Sequence, residues 1–188
     1  MKKWQVVVLV LGSLANGSIV FSATAFAGSD QICSGDWKIT GYFVPVEADY
    51  TGPMQMVSVD GVGNVSFPVS FVNATDIEGW GLTIGGWYLG KPGAHWIKSP
   101  IAENARGSEL KIGSLAVWNN IQLGSTFTIL SAPSPWNTQI LTADDHGSKI
   151  QKKHLDVFTG QGKAAERESV RITSNGYTAE VCYAPPKT

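Results

Sequence analysis

Hydrophobic positions along the chain recur at short, strand-like intervals. Trp37 to Val46, Met54 to Val59, Asn64 to Val72, Leu110 to Val117, Ser125 to Leu130, Gln139 to Thr142, His154 to Phe158, Ser169 to Thr173 and Tyr177 to Tyr183 read as strands separated by Gly, Pro, Asn and Asp. Pro68 places its strand at an edge or a bulge. No long amphipathic helix is apparent. The best helical candidate is Gly162 to Glu168, too short to hold without packing. The pattern predicts an all-β fold, a single small barrel or sandwich.

The first 27 residues have a different character. Lys2 and Lys3 are followed by an apolar stretch, Val6 to Leu11, and then by Ala25-Phe26-Ala27, the small-x-small pattern that a signal peptidase reads. Gly12, Ser13, Asn16, Gly17 and Ser18 interrupt the apolar run before it reaches the roughly 20 residues that a spanning helix needs. Residues 1–27 are therefore expected to be a signal peptide and residues 28–188 a single exported domain, periplasmic or secreted, without a transmembrane segment.

Composition agrees with an exported β-protein. Hydrophobic residues make up 43% and charged residues 15%, with 21 glycines and 7 tryptophans. Removing Lys2 and Lys3 leaves 12 basic against 15 acidic residues, a net charge of −3. That balance disfavours nucleic acid as a partner. The one basic cluster, Lys149, Lys152, Lys153 and His154, reads either as a solvated turn or as a contact for an anionic substrate group. Cys33 and Cys182 are the only cysteines, and in an oxidising compartment they are expected to pair. Neither sits in a Cys-x-x-Cys pair or a nucleophile motif, which disfavours a catalytic thiol.

Several chemistries are absent from the sequence. It has no Gly-x-Ser-x-Gly elbow, no His-Glu-x-x-His, no phosphate-binding loop and no dinucleotide fingerprint. His95, His146 and His154 lack a metal-ligand spacing, so neither metal nor other cofactor is expected. The informative stretch runs from Thr142 to Gly162. There Asp144 and Asp145 end one strand, and Asp156 stands between Leu155 and Val157 in the next. Alternation points Asp156 away from its apolar neighbours, to solvent or into a cleft.

Asp145-His146-Gly147, Ile150 and Leu155-Asp156-Val157-Phe158, with the two aspartates eleven positions apart, resemble the signature of the three-aspartate (3D) domain. That domain is shared by the membrane-bound lytic transglycosylase A family and the small stationary-phase-survival proteins of Gram-positive bacteria. Gly113-Ser114-Leu115-Ala116-Val117 with Ile121-Gln122-Leu123-Gly124-Ser125-Thr126 is similar to the family's strand and Pro-Leu-Gly-Thr/Ser segment. Ile39-Thr40-Gly41-Tyr42-Phe43-Val44-Pro45 is similar to the Thr-Gly-Tyr-Tyr-x-Pro strand of the transglycosylases.

The resemblance implies a small double-psi β-barrel with short helical turns and a β-rich N-terminal insertion. It also implies cleavage of the peptidoglycan glycan strand without water. An ordinary glycosidase needs two carboxyl groups because one attacks or activates water. If the sugar's own 6-hydroxyl attacks, one group can serve as acid and then as base. By position Asp156 matches that catalytic group, and Asp145 the neighbouring acid that tunes it, while Asp144 reads as a turn residue. Thr40, Tyr42, Gly147, Lys149 and Trp118 are the candidate substrate contacts, with peptidoglycan strands as partner.

In the small family members an acid follows Ala-Val, where Val117 or Trp118 stands here. A second reading therefore stays open: a non-catalytic, expansin-like protein that binds cell-wall carbohydrate. Trp80, Trp87, Trp96, Trp118 and Trp136 fall in or beside expected loops, where they would either stack on sugars or pack the core. Met54 to Gly93 has no family counterpart and reads as an insertion that lines a groove or meets a partner.

Overall fold

The computed structural model describes residues 31–186, so the expected signal peptide lies outside the described residues. The chain forms two β-layers. Six strands close into a barrel in the order β1-β10-β7-β9-β8-β11: β1 Ile32–Val44, β7 Ser114–Val117, β8 Thr126–Ile129, β9 Leu141–His146, β10 His154–Gln161 and β11 Tyr177–Ala184. Pairings β1/β10 and β7/β9 are parallel, and the other four are antiparallel. Alternation along these strands sends Ile39, Leu115, Val117, Phe127, Ile129, Leu141, Leu155, Val157 and Val181 into one sealed interior. Each such side chain contributes about 2 kcal/mol by leaving water.

The remaining strands form a five-stranded sheet in the order β3-β2-β6-β5-β4, inserted between β1 and β7. They are β2 Met54–Asp60, β3 Gly63–Pro68, β4 Trp80–Leu82, β5 Tyr88–Gly90 and β6 Trp96–Ser99. The three short strands β4 to β6, each of three or four residues, carry too few alternations to stand out in the sequence.

Two helices replace expected strands. Asn64 to Val72 is not one strand: β3 stops at Pro68, and helix α1 runs Val69–Glu78. Proline lacks an N–H and has a fixed φ, so it suits the entry to a helix. The β-branched residues of α1 disguise its period, yet Phe71 and Thr75 are four apart and both buried. Gly79 ends the helix at a φ of 92°, its N–H donating to the Thr75 carbonyl. Helix α2 spans Gly162–Ile172, so Ser169 to Ile172 extend the expected Gly162–Glu168 helix rather than starting a strand. Ala165, Ser169 and Ile172 are buried at helical spacing. At Gly41 a Cβ would lie 2.6 Å from the Ser169 Cα, so the glycine lets α2 approach β1.

Cys33 and Cys182 are cross-strand partners on β1 and β11 and form a disulfide. The bridge joins strands near the two ends of the described chain, 149 residues apart, and locks the seam of the barrel.

Candidate functional site

A groove of about 780 Å³ runs between the barrel and the inserted sheet. Its barrel wall is a single register row. On β10 Asp156 faces Thr40 of β1 on one side and Ala116 of β7 on the other, and Ala116 in turn faces Asp145 of β9. The two aspartates are thus two strands apart, about 10 Å between Cα atoms. Only the methyl group of Ala116 stands between them, which leaves room for both carboxyl groups to line the groove.

A slip in register puts Asp145 there. Leu115 pairs with Ala143, but the next residue, Ala116, pairs with Asp145, so Asp144 is an extra residue in β9. In an unbroken strand Asp145 would share the face of Ala143, which is fully buried in the barrel. The irregularity turns it outward. Asp144 holds it in place by accepting hydrogen bonds from the Ser114 hydroxyl at 2.8 Å and the Leu115 N–H at 3.3 Å. The expectation of a turn at Asp144 is corrected: β9 runs on through His146, and the turn follows it.

Asp145 accepts three hydrogen bonds. The Tyr42 hydroxyl donates to Oδ2 at 3.1 Å, and the N–H groups of Ala105 and His146 donate to Oδ1 at 3.0 and 2.9 Å. Burial still raises its pKa above the usual carboxylate range, against those three donors. Asp156 accepts one, from the Thr40 hydroxyl to Oδ1 at 2.6 Å. Burial, with the charge of Asp145 adding to it, lifts Asp156 to about 6 against the opposing pull of Thr40 and Lys38. Burial, with the nearby aspartates adding to it, also drives the Tyr42 phenol well above its normal value, so it stays a donor.

The other expected contacts divide. Thr40, Tyr42, Gly147 and Lys149 line the groove with the aspartates. Trp118 is half-buried just after β7 and is not among the lining residues. Trp80 lines the groove, but it is only 8% exposed, with its indole N–H donating to the Glu103 carbonyl at 2.8 Å. Trp136 packs into the barrel core and is no sugar platform. Trp87 and Trp96 are half-buried on the inserted sheet, beneath the Lys98 and Lys91 ammonium groups. Of the basic cluster, Lys149 is exposed on the groove, whereas Lys153 donates to the Gly35 carbonyl at 3.0 Å.

The sequence reading missed Glu78. It ends α1, lines the groove and accepts a hydrogen bond from the Phe43 N–H at 3.1 Å. Burial, assisted by the charges of Asp156 and Glu166, lifts it to about 7. Only the unrecognised helix brings it there, and an acid just before a glycine carries no such signal on its own. Among the described residues no cluster of three or more His, Cys, Asp or Glu side chains could hold a metal ion.

Comparison with known proteins adds the fold. No family model matches the sequence, and no curated protein does. Solved structures match across most of the chain. Escherichia coli MltA with bound chitohexaose aligns at a TM-score of 0.60 and 13% identity, covering 81% of this chain and 73% of that one. The chain has an MltA-like fold. A membrane-bound lytic murein transglycosylase from Agrobacterium tumefaciens aligns at 0.55 and 14%, covering 84% and 77%. MltA from Neisseria gonorrhoeae aligns at 0.50 and 12%, covering 83% and 74%. The closed barrel is accordingly the expected double-psi β-barrel.

Proposed function

We propose that this chain is an exported peptidoglycan lytic transglycosylase that cleaves the β-1,4 bond from N-acetylmuramic acid to N-acetylglucosamine and leaves a 1,6-anhydro product. The observation that carries the proposal is Asp156: a half-buried carboxyl group with pKa near 6, in a groove of glycan dimensions, beside a second aspartate on the same register row. The stretch that resembles the signature of the three-aspartate domain includes these two residues. The MltA-like fold supports the same reading, as does the chitohexaose bound by one neighbour, a β-1,4-linked chain of N-acetylglucosamine.

Asp156 begins protonated and gives its proton to the bridging O4 as the C1–O4 bond breaks. The resulting carboxylate then takes the proton of the muramic acid 6-hydroxyl while O6 bonds to C1. The proton is returned, no water is consumed, and a single group suffices. Burial raises the pKa of Asp156, and Asp145, held by Tyr42 and two backbone N–H groups, adds a carboxyl neighbour that further favours the protonated form. Lys149 at the rim is placed to meet an anionic substituent such as a lactyl or peptide carboxylate.

Export and a periplasmic or secreted location are part of the proposal. The disulfide suits an oxidising compartment, and among the described residues no helix is long and apolar enough to cross a membrane. The expansin-like reading keeps one supporting observation. Val117 is sealed in the barrel core and Trp118 is half-buried, so no acid occupies the place that the small members fill. Digestion of purified peptidoglycan followed by mass spectrometry separates the two. Anhydro-muropeptides from the unaltered protein and none from Asp156→Asn are expected; sacculi that retain the protein but release nothing would favour binding.

A further inference from the structure

Asp156 is braced by two further side chains. His154 precedes it by two residues on β10, a spacing that puts both side chains on one face of the strand. Thr40 lies opposite Asp156 in the β1/β10 pairing. Its hydroxyl oxygen is 2.6 Å from Asp156 Oδ1 and 2.9 Å from His154 Nε2.

A hydroxyl group has one proton to donate. If Thr40 gives it to the Asp156 carboxylate, the other contact is satisfied only when His154 Nε2 carries hydrogen and donates to Thr40. The environment leaves the ring one hydrogen, to be carried on Nδ1 or Nε2. His154 is 8% exposed, and burial together with the charge of Lys38 lowers its pKa to about 4, so the ring is neutral at neutral pH. Its Nδ1 has no hydrogen-bond partner among the described residues, which leaves Thr40 as the ring's only polar partner there. Asp156 Oδ2 accepts no hydrogen bond from the described residues. It is not one of the sealed, unpaired polar atoms, which among the described residues are Thr75 Oγ1 and Asn137 Oδ1.

We propose that His154 is a positioning residue: its Nε2–H fixes the direction of the Thr40 hydroxyl, which occupies Asp156 Oδ1 and reserves Oδ2 as the oxygen that carries a proton into the groove. The catalytic part of this assignment rests on the proposed acid–base role of Asp156; the hydrogen-bond relay does not. The charged and titratable groups that face the relay are Lys38 and Tyr42 from β1, Asp145 from β9 and Glu78 from α1. None of them hydrogen-bonds to Asp156 or His154, while β7 presents only Ala116.

The test is nuclear magnetic resonance on the full chain. Nitrogen-15 shifts of His154 report the tautomer, and the carbon-13 shift of the Asp156 carboxyl reports its titration. A neutral ring with hydrogen on Nε2 is expected between pH 5 and about 8, along with an Asp156 midpoint near 6. His154→Leu removes the donor and raises that midpoint by about one unit. His154→Gln, whose amide can donate from a similar position, returns it toward the starting value. On peptidoglycan at pH 5, where Asp156 is protonated in both proteins, His154→Leu lowers kcat roughly tenfold with KM unchanged, and His154→Gln recovers most of the loss.

Hydrogen on Nδ1 in the unaltered protein, or an unmoved Asp156 midpoint in folded His154→Leu, overturns the relay. The tautomer measurement needs no variant and decides the matter even if His154→Leu does not fold. A protein that leaves glycan uncut while its Asp156 midpoint responds to His154→Leu keeps the relay and sinks the transglycosylase reading. Glycan cleavage with an unresponsive midpoint does the reverse.

Discussion

The barrel and the inserted sheet face each other across one groove, and they furnish its walls differently. On the barrel side the polar groups are tied down: Asp145 by three donors, Asp144 by two, and Asp156 by Thr40. On the opposite side Asp76 and Ile77 are exposed, and Lys91 is held by a surface ion pair to Asp76, with side chains 31% and 51% exposed, and by its place over the Trp96 ring. An exposed pair of that kind contributes under about 1 kcal/mol. Rigid chemistry on one wall and adjustable contacts on the other suit a polymer that must slide in and be cut at one place. Barrel substitutions should therefore act on kcat and sheet substitutions on KM.

The sharpest break is Asp156→Asn. Loss of the acid and base should lower kcat by about 10²- to 10⁴-fold in a peptidoglycan digest. The same change should stabilise the fold at neutral pH. The folded pKa of Asp156 lies above its ordinary value, so the folded state binds the extra proton between about pH 4 and 6, and stability falls as pH rises through that window. Asparagine removes the fall, a gain of up to about 3 kcal/mol at pH 7 that vanishes below about pH 4 in denaturant titrations. The disulfide comes next. Cys33→Ser with Cys182→Ser unlocks the β1/β11 seam and should cost about 2–5 kcal/mol by the same titrations.

Asp144→Ala probes the barrel wall more finely. It removes two hydrogen bonds that hold the irregularity in β9, and Asp145 should lose its fixed place without losing its charge. About a tenfold loss in kcat is expected, with KM nearly unchanged. At the small end, Ile77→Ala on the sheet side should raise KM a few-fold and leave kcat alone. A kcat loss there equal to that of Asp144→Ala would dissolve the distinction between the walls.

How much of this was legible in the sequence follows the same division. The barrel strands announce themselves through alternation, as in Leu155-Asp156-Val157, and the chemistry rides on them. The outward turn of Asp145 does not. Two adjacent aspartates look alike to periodicity alone; the resemblance singled out Asp145, and the register against β7 gives the physical reason that it faces the groove while Asp144 braces the strand. The inserted sheet was harder still. Its short strands alternate too little, and α1 is written in Val, Phe, Asn and Thr, residues with weak helix preference, so Glu78 went unseen. Glu168 illustrates a subtler limit: its carboxylate accepts from the Trp136 indole at 2.5 Å, a contact that joins α2 to a loop 32 residues away.

The most direct test of the central claim is the rate of anhydro-muropeptide release by the unaltered protein between pH 4 and 8. A reaction that begins with protonated Asp156 should keep its rate below about pH 6 and lose it above, approaching tenfold per pH unit. A rate that climbs through neutrality, or products that carry free reducing ends, would contradict the account.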